Sequence, residues 1–204
     1  MFNGIIEYLG KFVSLTRTGN GARLAVEAAR LAGRVKKGDS VAVDGICLTV
    51  AARSGKQIRF DVSAETWKRT NLSACRSGQF LNLELPLTAA AFVSGHFVQG
   101  HVEGIGRVRR WIRDGDNVML FVDLPSSLAA YCVPKGSIAI NGVSLTVASM
   151  RPGTIGVALI PYTLSHTNLN QLQTGDPVNI ETDILGRYVV STLKKTYDKR
   201  RLQR

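Results

Sequence analysis

The sequence predicts an all-β chain: two tandem, similar domains, each a small barrel or sandwich, followed by one C-terminal α-helix. Three observations predict it. Val41–Ala51 (VAVDGICLTVA) returns as Ile138–Ala148 (IAINGVSLTVA), an offset of 138 − 41 = 97 residues. Asp61–Leu72, Gly78 and Asn82–Glu84 return at that offset as Ala158–Leu169, Gly175 and Asn179–Glu181. Two copies near domain size mean a duplicated domain rather than a solenoid. Both copies consist of short β-branched stretches broken by regular turn signals, as in small barrels and sandwiches. Only after Asp183 does the apolar spacing turn helical.

Taken in order, Gly4–Glu7 and Gly10 match Gly100–Glu103 and Gly106 at an offset of 100 − 4 = 96, so one single-residue gap aligns the halves. Arg23–Gly33 (RLAVEAARLAG) scores as helix on propensity. Its counterpart Val118–Tyr131 (VMLFVDLPSSLAAY) is apolar and aromatic up to Pro125, and the repeat demands one structure for both. Strand followed by short helix satisfies each. Val41–Val43 and Cys47–Val50 flank Asp44-Gly45, a turn or bulge signal, and Asn141-Gly142 repeats it. Both glycines are expected to need φ > 0 or a close backbone approach. Further strands are expected near Ile58–Val62, Leu81–Leu85, Val118–Leu124, Gly156–Ile160 and Val178–Thr182, with a junction at Pro86–Gly95. The domains then span 1–94 and 95–183. Ile184, Leu185, Tyr188, Val189 and Leu193 form an amphipathic helix, 184–196, that packs on its own barrel or on a neighbouring subunit. Residues 197–204 are left as a basic tail, expected to be disordered.

Bulk properties exclude several functions. Each half of the 204-residue chain is large enough for one modest core. No apolar run reaches the roughly 18 residues that span a bilayer. The N-terminus carries Glu7 among its apolar residues and no charged n-region, so no signal peptide is expected. Cys47, Cys75 and Cys132 are odd in number and form no CxxC pair, which argues for a reducing, cytoplasmic setting and against disulfides and zinc. His96, His101 and His166 form no HExxH, and no structural metal is expected. Much of the +11 net charge lies in Lys194–Arg204, where six basic residues face only Asp198. That tail lacks aromatics interleaved with basic residues, which argues against nucleic-acid binding. Gly100–Gly106 (GHVEGIG) does not open a helix after a strand and no Walker lysine follows, so no nucleotide site is read here.

Strand alternation puts Cys47 and Thr49 on one face and Ile46, Leu48 and Val50 on the other; Ser144 and Thr146 repeat the first face. Alone, such residues read as ordinary strand positions, and Cys47 as a small hydrophobe. Their recurrence where neighbours have drifted points instead to a duplicated pocket for a polar heterocycle. The halves also differ: Ile5 corresponds to His101, Cys47 to Ser144 and Pro86 to Asp183, while Lys135 and Lys37 precede the two core motifs. The second half thus gains an imidazole and a carboxylate, and its pocket is expected to hold more of the proton-transfer groups.

Met1–Glu7 (MFNGIIE), Gly38–Val50 (GDSVAVDGICLTV), Gly95–Glu103 (GHFVQGHVE), Lys135–Val147 (KGSIAINGVSLTV) and Val178–Val189 (VNIETDILGRYV) resemble riboflavin synthases of the alpha-chain type. The resemblance spans nearly the whole chain except the basic tail. It implies two six-stranded Greek-key barrels, a C-terminal helix, a homotrimer, and lumazine synthase as a further partner. It also implies the reaction: two 6,7-dimethyl-8-ribityllumazine molecules exchange a four-carbon unit to give riboflavin and 5-amino-6-ribitylaminouracil. In that family one lumazine sits in each barrel, and the productive site lies between barrels of neighbouring subunits. No cofactor is implied, because the lumazine ring is its own electron sink.

By the same resemblance Cys47, His101, Lys135, Ser144, Thr146 and Asp183 are the catalytic positions. Ser144 and His101 would handle the methyl proton or support the carbanion, Cys47 would assist the acceptor, and Lys135 and Asp183 would orient the rings. Substrate binding would also use Gly4, Ile5 and Ile6; Leu48 and Thr49; and Asp61, Val62, Ser63, Ala64, Glu65 and Thr66. From the second half come Gly100 and Val102, Leu145, and the loop Leu159, Ile160, Pro161, Tyr162, Thr163 and Leu164. Thr49, Glu65 and Thr66 would take the ribityl chain. Asp44, Tyr162 and His166 depart from the family pattern. Two rival readings stay open: a non-catalytic lumazine- or flavin-binding carrier, and a β-barrel nucleic-acid binder.

Overall fold

Two-residue alternation dictates the architecture. In Gln57–Ser63, Ile58, Phe60 and Val62 are buried while Arg59, Asp61 and Ser63 face solvent. Strands with one apolar face close into barrels that bury it. In the computed structural model, which describes residues 1–115 and 117–201 (side chains of the last helix only through Thr196), the chain makes two such barrels.

The first comprises β1 (Tyr8–Thr18), β2 (Gly21–Glu27), β3 (Ser40–Val43), β4 (Ile46–Ser54), β5 (Gln57–Ser63) and β6 (Phe80–Glu84), closed in the order β1-β2-β5-β4-β3-β6. β7 (Gly104–Asp114), β8 (Asn117–Asp123), β9 (Ser137–Ile140), β10 (Val143–Arg151), β11 (Thr154–Leu159) and β12 (Pro177–Thr182) repeat that cyclic order as β7-β8-β11-β10-β9-β12. All pairings are antiparallel, and the β3-β4-β5 meander takes β2 beside β5, a Greek key. Both barrels are filled: Leu24, Phe60 and Leu81 pack inside the first, and Leu120, Ile138 and Ile155 inside the second.

Short helices α1 (Ala29–Ala32) and α3 (Ser126–Ala129) follow β2 and β8, as the repeat demanded of the helix-prone Arg23–Gly33 segment. The sequence reading named neither β1 nor β7, whose glycines and outward Lys and Arg dilute the apolar signal. It also read Leu159–Leu164 as a loop, whereas α4 (Pro161–His166) begins there, matched by α2 (Ala64–Arg69) in the first half. β4 and β10 run past Val50 and Val147 because a bulge in each lets the strand continue. The last helix, α5 (Ile184–Arg201), passes the expected end at 196, since Tyr197–Arg201 contains neither Gly nor Pro. The disorder expected for 202–204 falls outside the described residues.

The barrels meet about a pseudo-two-fold axis. Asp44-Gly45 and Asn141-Gly142 make two-residue hairpin turns with φ of 46° and 77° in each, the left-handed pair of a type I′ turn. The two turns touch: a Cβ on Gly45 would stand 2.7 Å from the Gly142 nitrogen, so positive φ and close approach both require glycine. Around them the hydrogen bonds are reciprocal. Asn82 Nδ2 donates to the Asn141 carbonyl and Asn179 Nδ2 to the Asp44 carbonyl, each at 2.9 Å. Asn82 Oδ1 accepts from Asn168 N and Asn179 Oδ1 from Asn71 N, each at 2.8 Å. Every partner has its counterpart 97 residues away. One position breaks the symmetry. Asp44, wholly buried, accepts at Oδ1 from Asn82 N (2.7 Å) and Asn168 Nδ2 (2.9 Å), but its Oδ2 meets no partner among the described residues.

Candidate functional site

The outward face of β4 carries half-buried Cys47 and exposed Thr49, and that of β10 carries half-buried Ser144 and exposed Thr146. Leu48, Val62, Leu145 and Leu159 point into the filled cores, so only their backbones can meet a ligand. The polar pair of each half therefore stands on its barrel's outer wall, and the filled interiors leave no room for a ligand.

Each wall is completed by a segment from the other half. Gly4, which precedes the first barrel, accepts through its carbonyl from Ser144 N of the second barrel at 2.8 Å. Gly100, which precedes the second barrel, accepts from Cys47 N of the first at 2.8 Å. Gly4 and Gly100 have φ of 71° and 78°, and a Cβ on either would lie within 2.7 Å of Ser144 or Cys47 atoms. Between the crossing segments, Phe2 and Val98 pair as an antiparallel bridge and are packed with Ala42 and Ala139.

Buried carboxylates hold both segments. Glu84 accepts from Asn3 N (2.6 Å) and Gly4 N (3.1 Å), and Glu181 from Gln99 N (2.6 Å) and His101 N (2.8 Å). Burial pushes the Glu84 carboxyl up to about 7, against the lowering effect of the amides it accepts from. Burial raises Glu181 in the same direction.

The exchange moves one sequence assignment. His101 lines a cavity of about 240 Å³ with Cys47, Glu65, Thr66 and Arg69, so its imidazole serves the first barrel's wall, not the second's. The expectation that the second pocket holds this group is corrected, because the chain crosses over before entering its own barrel.

The second wall has a different imidazole. His96 Nδ1 stands 2.7 Å from Ser144 Oγ, and its Nε2 is buried without a partner among the described residues. Burial lowers the His96 pKa, opposed by the nearby Asp183 carboxylate, so a neutral ring faces the Ser144 hydroxyl. Sequence reasoning passed over His96 because it precedes the repeat and has no first-half counterpart. Its place four residues before Gly100 was the available signal.

The remaining candidates divide. Asp183 accepts from Leu185 N at 3.0 Å, capping the start of α5 while its charge acts on His96. Lys135 has φ of 67° and donates its N–H to Val147 O at 2.8 Å, as Gly38 (φ 93°) does to Val50 O at 2.9 Å. Its counterpart is thus Gly38, not Lys37, and a lysine in left-handed backbone costs about 1 kcal/mol. Lys135 lies outside the Cys47 cavity. Asp61 pairs with Arg23 at 3.0 Å on the surface, and Ser63 caps α2 by accepting from Thr66 N at 3.1 Å. Ile6 and Leu164 pack against the second core, while Ile5, Ile160 and Tyr162 are exposed.

A model of the lumazine binding domain matches residues 3–86 and again 99–183. Over 203 residues the chain is 37% identical to the riboflavin synthase of Bacillus subtilis (strain 168), covering 100% of this chain and 94% of that protein. The chain belongs to the riboflavin synthase family. The riboflavin synthase of Actinobacillus pleuropneumoniae is 37% identical over 195 residues, with 96% of this chain and 91% of that protein covered. LumP complexed with riboflavin superposes with a TM-score of 0.82 at 26% identity, covering 89% of this chain and 99% of that one. LumP complexed with 6,7-dimethyl-8-(1′-D-ribityl) lumazine shares the fold, with a TM-score of 0.81 at 24% identity. In this riboflavin synthase family chain the two matched domains carry the two walls, one bearing Cys47 and the other Ser144. Among the described residues no helix is long and apolar enough to cross a membrane.

Proposed function

We propose that the chain converts two molecules of 6,7-dimethyl-8-ribityllumazine into riboflavin and 5-amino-6-ribitylaminouracil. The observation that carries this reading is the pair of equivalent walls, each completed by the other half's glycine segment. Two like pockets suit a reaction between two copies of one molecule.

The chemistry needs a base, an activated acceptor and alignment. The 7-methyl group of the first lumazine, the one that receives the four-carbon unit, is acidic, because its carbanion delocalises into the ring. The buried, neutral His96, linked to Ser144, suits removal of that proton, and His101 on the other wall suits its return. The carbanion carbon attacks the second lumazine, whose C7 is activated by transient addition of the Cys47 thiol or a water. Two C–C bonds then join the methyl carbons of the first lumazine to C6 and C7 of the second. The two C–N bonds at those carbons break, the uracil diamine departs, and the added thiol or water is released, so the four-carbon unit of the second stays on the first. The atoms of two lumazines equal those of the two products, so neither oxidant nor reductant enters. Lys135, Thr146 and Asp183 orient the rings. Holding two rings face to face supplies a large part of the acceleration.

The productive site joins a first wall to a second wall of a neighbouring subunit in a homotrimer. What supports the assembly is the stripe Leu185, Tyr188, Val189 and Leu193 on α5, each more than half exposed in the single chain. Lumazine synthase is the proposed further partner. The test is a variant series. Cys47→Ala, His101→Ala and Ser144→Ala should each reduce turnover far more than lumazine binding, and unaltered turnover in all three rejects the site.

A further inference from the structure

One lip, α2, flanks the Cys47 cavity, and its counterpart in the second half, α4, repeats its backbone with opposite chemistry. α2 and α4 are both six residues long and end alike: Thr70 Oγ1 donates to Thr66 O, and Thr167 Oγ1 to Thr163 O, each at 2.7 Å. The side chains facing outward differ. Glu65 and Arg69 form an i,i+4 ion pair at 3.1 Å on the first lip, and both line the Cys47–His101 cavity. Their counterparts Tyr162 and His166 are stacked, with ring centroids 3.9 Å apart and planes 14° from parallel. Ser63 likewise becomes exposed Ile160.

An exposed ion pair contributes little to stability, so Glu65 and Arg69 are free to turn to hydroxyl groups, one accepting and the other donating. The stacked lip holds no carboxylate. It offers a flat ring face, pinned from behind because the His166 Nδ1 lies 2.9 Å from the Tyr162 carbonyl oxygen. Tyr162 remains 64% exposed, leaving room for a further ring to stack.

Building on the lumazine reading above, we infer that the two pockets hold their ligand by different ends. The first requires the polyol chain through Glu65 and Arg69. The second grips the heterocycle by stacking on Tyr162 and tolerates loss of the polyol.

Riboflavin and lumiflavin, the same ring with methyl in place of ribityl, separate these modes without turnover. Calorimetric titration of the full-length wild-type chain should give one site that loses at least about tenfold affinity with lumiflavin and one that does not. Glu65→Gln should weaken riboflavin alone, at the first of these. Tyr162→Ala should weaken both flavins equally at the other, by roughly three- to tenfold. Tyr162→Phe keeps the stack and should bind as wild type. If Tyr162→Ala affects riboflavin alone, or neither flavin, the stacking lip is overturned while the lumazine reading stands. If wild type binds neither flavin, both fall together.

Discussion

His96 Nδ1 lies 2.7 Å from Ser144 Oγ, although 48 residues of chain separate them. The contact exists because the segment before the second barrel lies beside the N-terminal segment, where His96 N donates to Asn3 O, before it crosses to the first wall. It places a base that burial keeps neutral beside the hydroxyl of one candidate wall.

His96→Gln should therefore lower kcat by roughly 10²- to 10⁴-fold with a much smaller change in ligand affinity. Ser144→Ala should act similarly, and the double variant should be little worse than either single one, as for groups acting together. The His96 pKa lies below its ordinary value of 6.5, so the acid limb of the kcat profile should fall only below that pH. Steady-state kinetics across pH, with ligand titration, checks all three.

The carboxylate clamps predict crossed effects. Glu84 stands on β6 of the first barrel but holds the segment that completes the Ser144 wall; Glu181 on β12 holds the segment that completes the Cys47 wall. Replacing either by Ala leaves buried N–H groups without acceptors, at about 1–3 kcal/mol each. Glu84→Ala should impair the Ser144 wall and Glu181→Ala the Cys47 wall, read as loss of ligand affinity at the opposite barrel.

Asp44 should make stability fall with rising pH. Burial pushes its carboxyl from 3.8 up to about 7, so the folded state binds a proton the unfolded chain has released. Its stabilisation is complete below 3.8 and is lost as pH rises toward 7, on the order of 4 kcal/mol in all. Asp44→Asn, which copies Asn141 across the axis, should flatten most of that slope and raise stability at pH 8 by roughly 2–4 kcal/mol. Glu84 and Glu181, also shifted upward, should leave a residual slope. Urea midpoints of the two proteins between pH 4 and 8 check it.

If walls of neighbouring subunits meet, inactive variants should rescue each other. Cys47→Ala disables one wall and Ser144→Ala the other. Subunits mixed after reversible dissociation should form some sites with both walls intact and recover a substantial part of wild-type turnover. No recovery in a mixed trimer would place both walls of the working site in one subunit.

The barrels were legible because duplication averages out local ambiguity. Arg23–Gly33 reads as helix until Val118–Tyr131 is laid beside it, and the structure is strand then short helix in both. The exchange of Gly4 and Gly100 was not legible. Each glycine sits next to its own barrel in sequence, and only three-dimensional packing sends it to the other. His96 was hidden for the same reason, lacking a counterpart to mark it. Lys135 was misaligned with Lys37 because residue type suggested a match where left-handed backbone pairs it with Gly38. Cys47, Glu65, Thr66 and His101, named separately from the sequence, surround one cavity.

The most direct measurement is to incubate the purified protein with 6,7-dimethyl-8-ribityllumazine alone and follow riboflavin by fluorescence. The account predicts one riboflavin for every two lumazines consumed, with no cofactor added. Tight lumazine binding without riboflavin would contradict it and leave a carrier protein in its place.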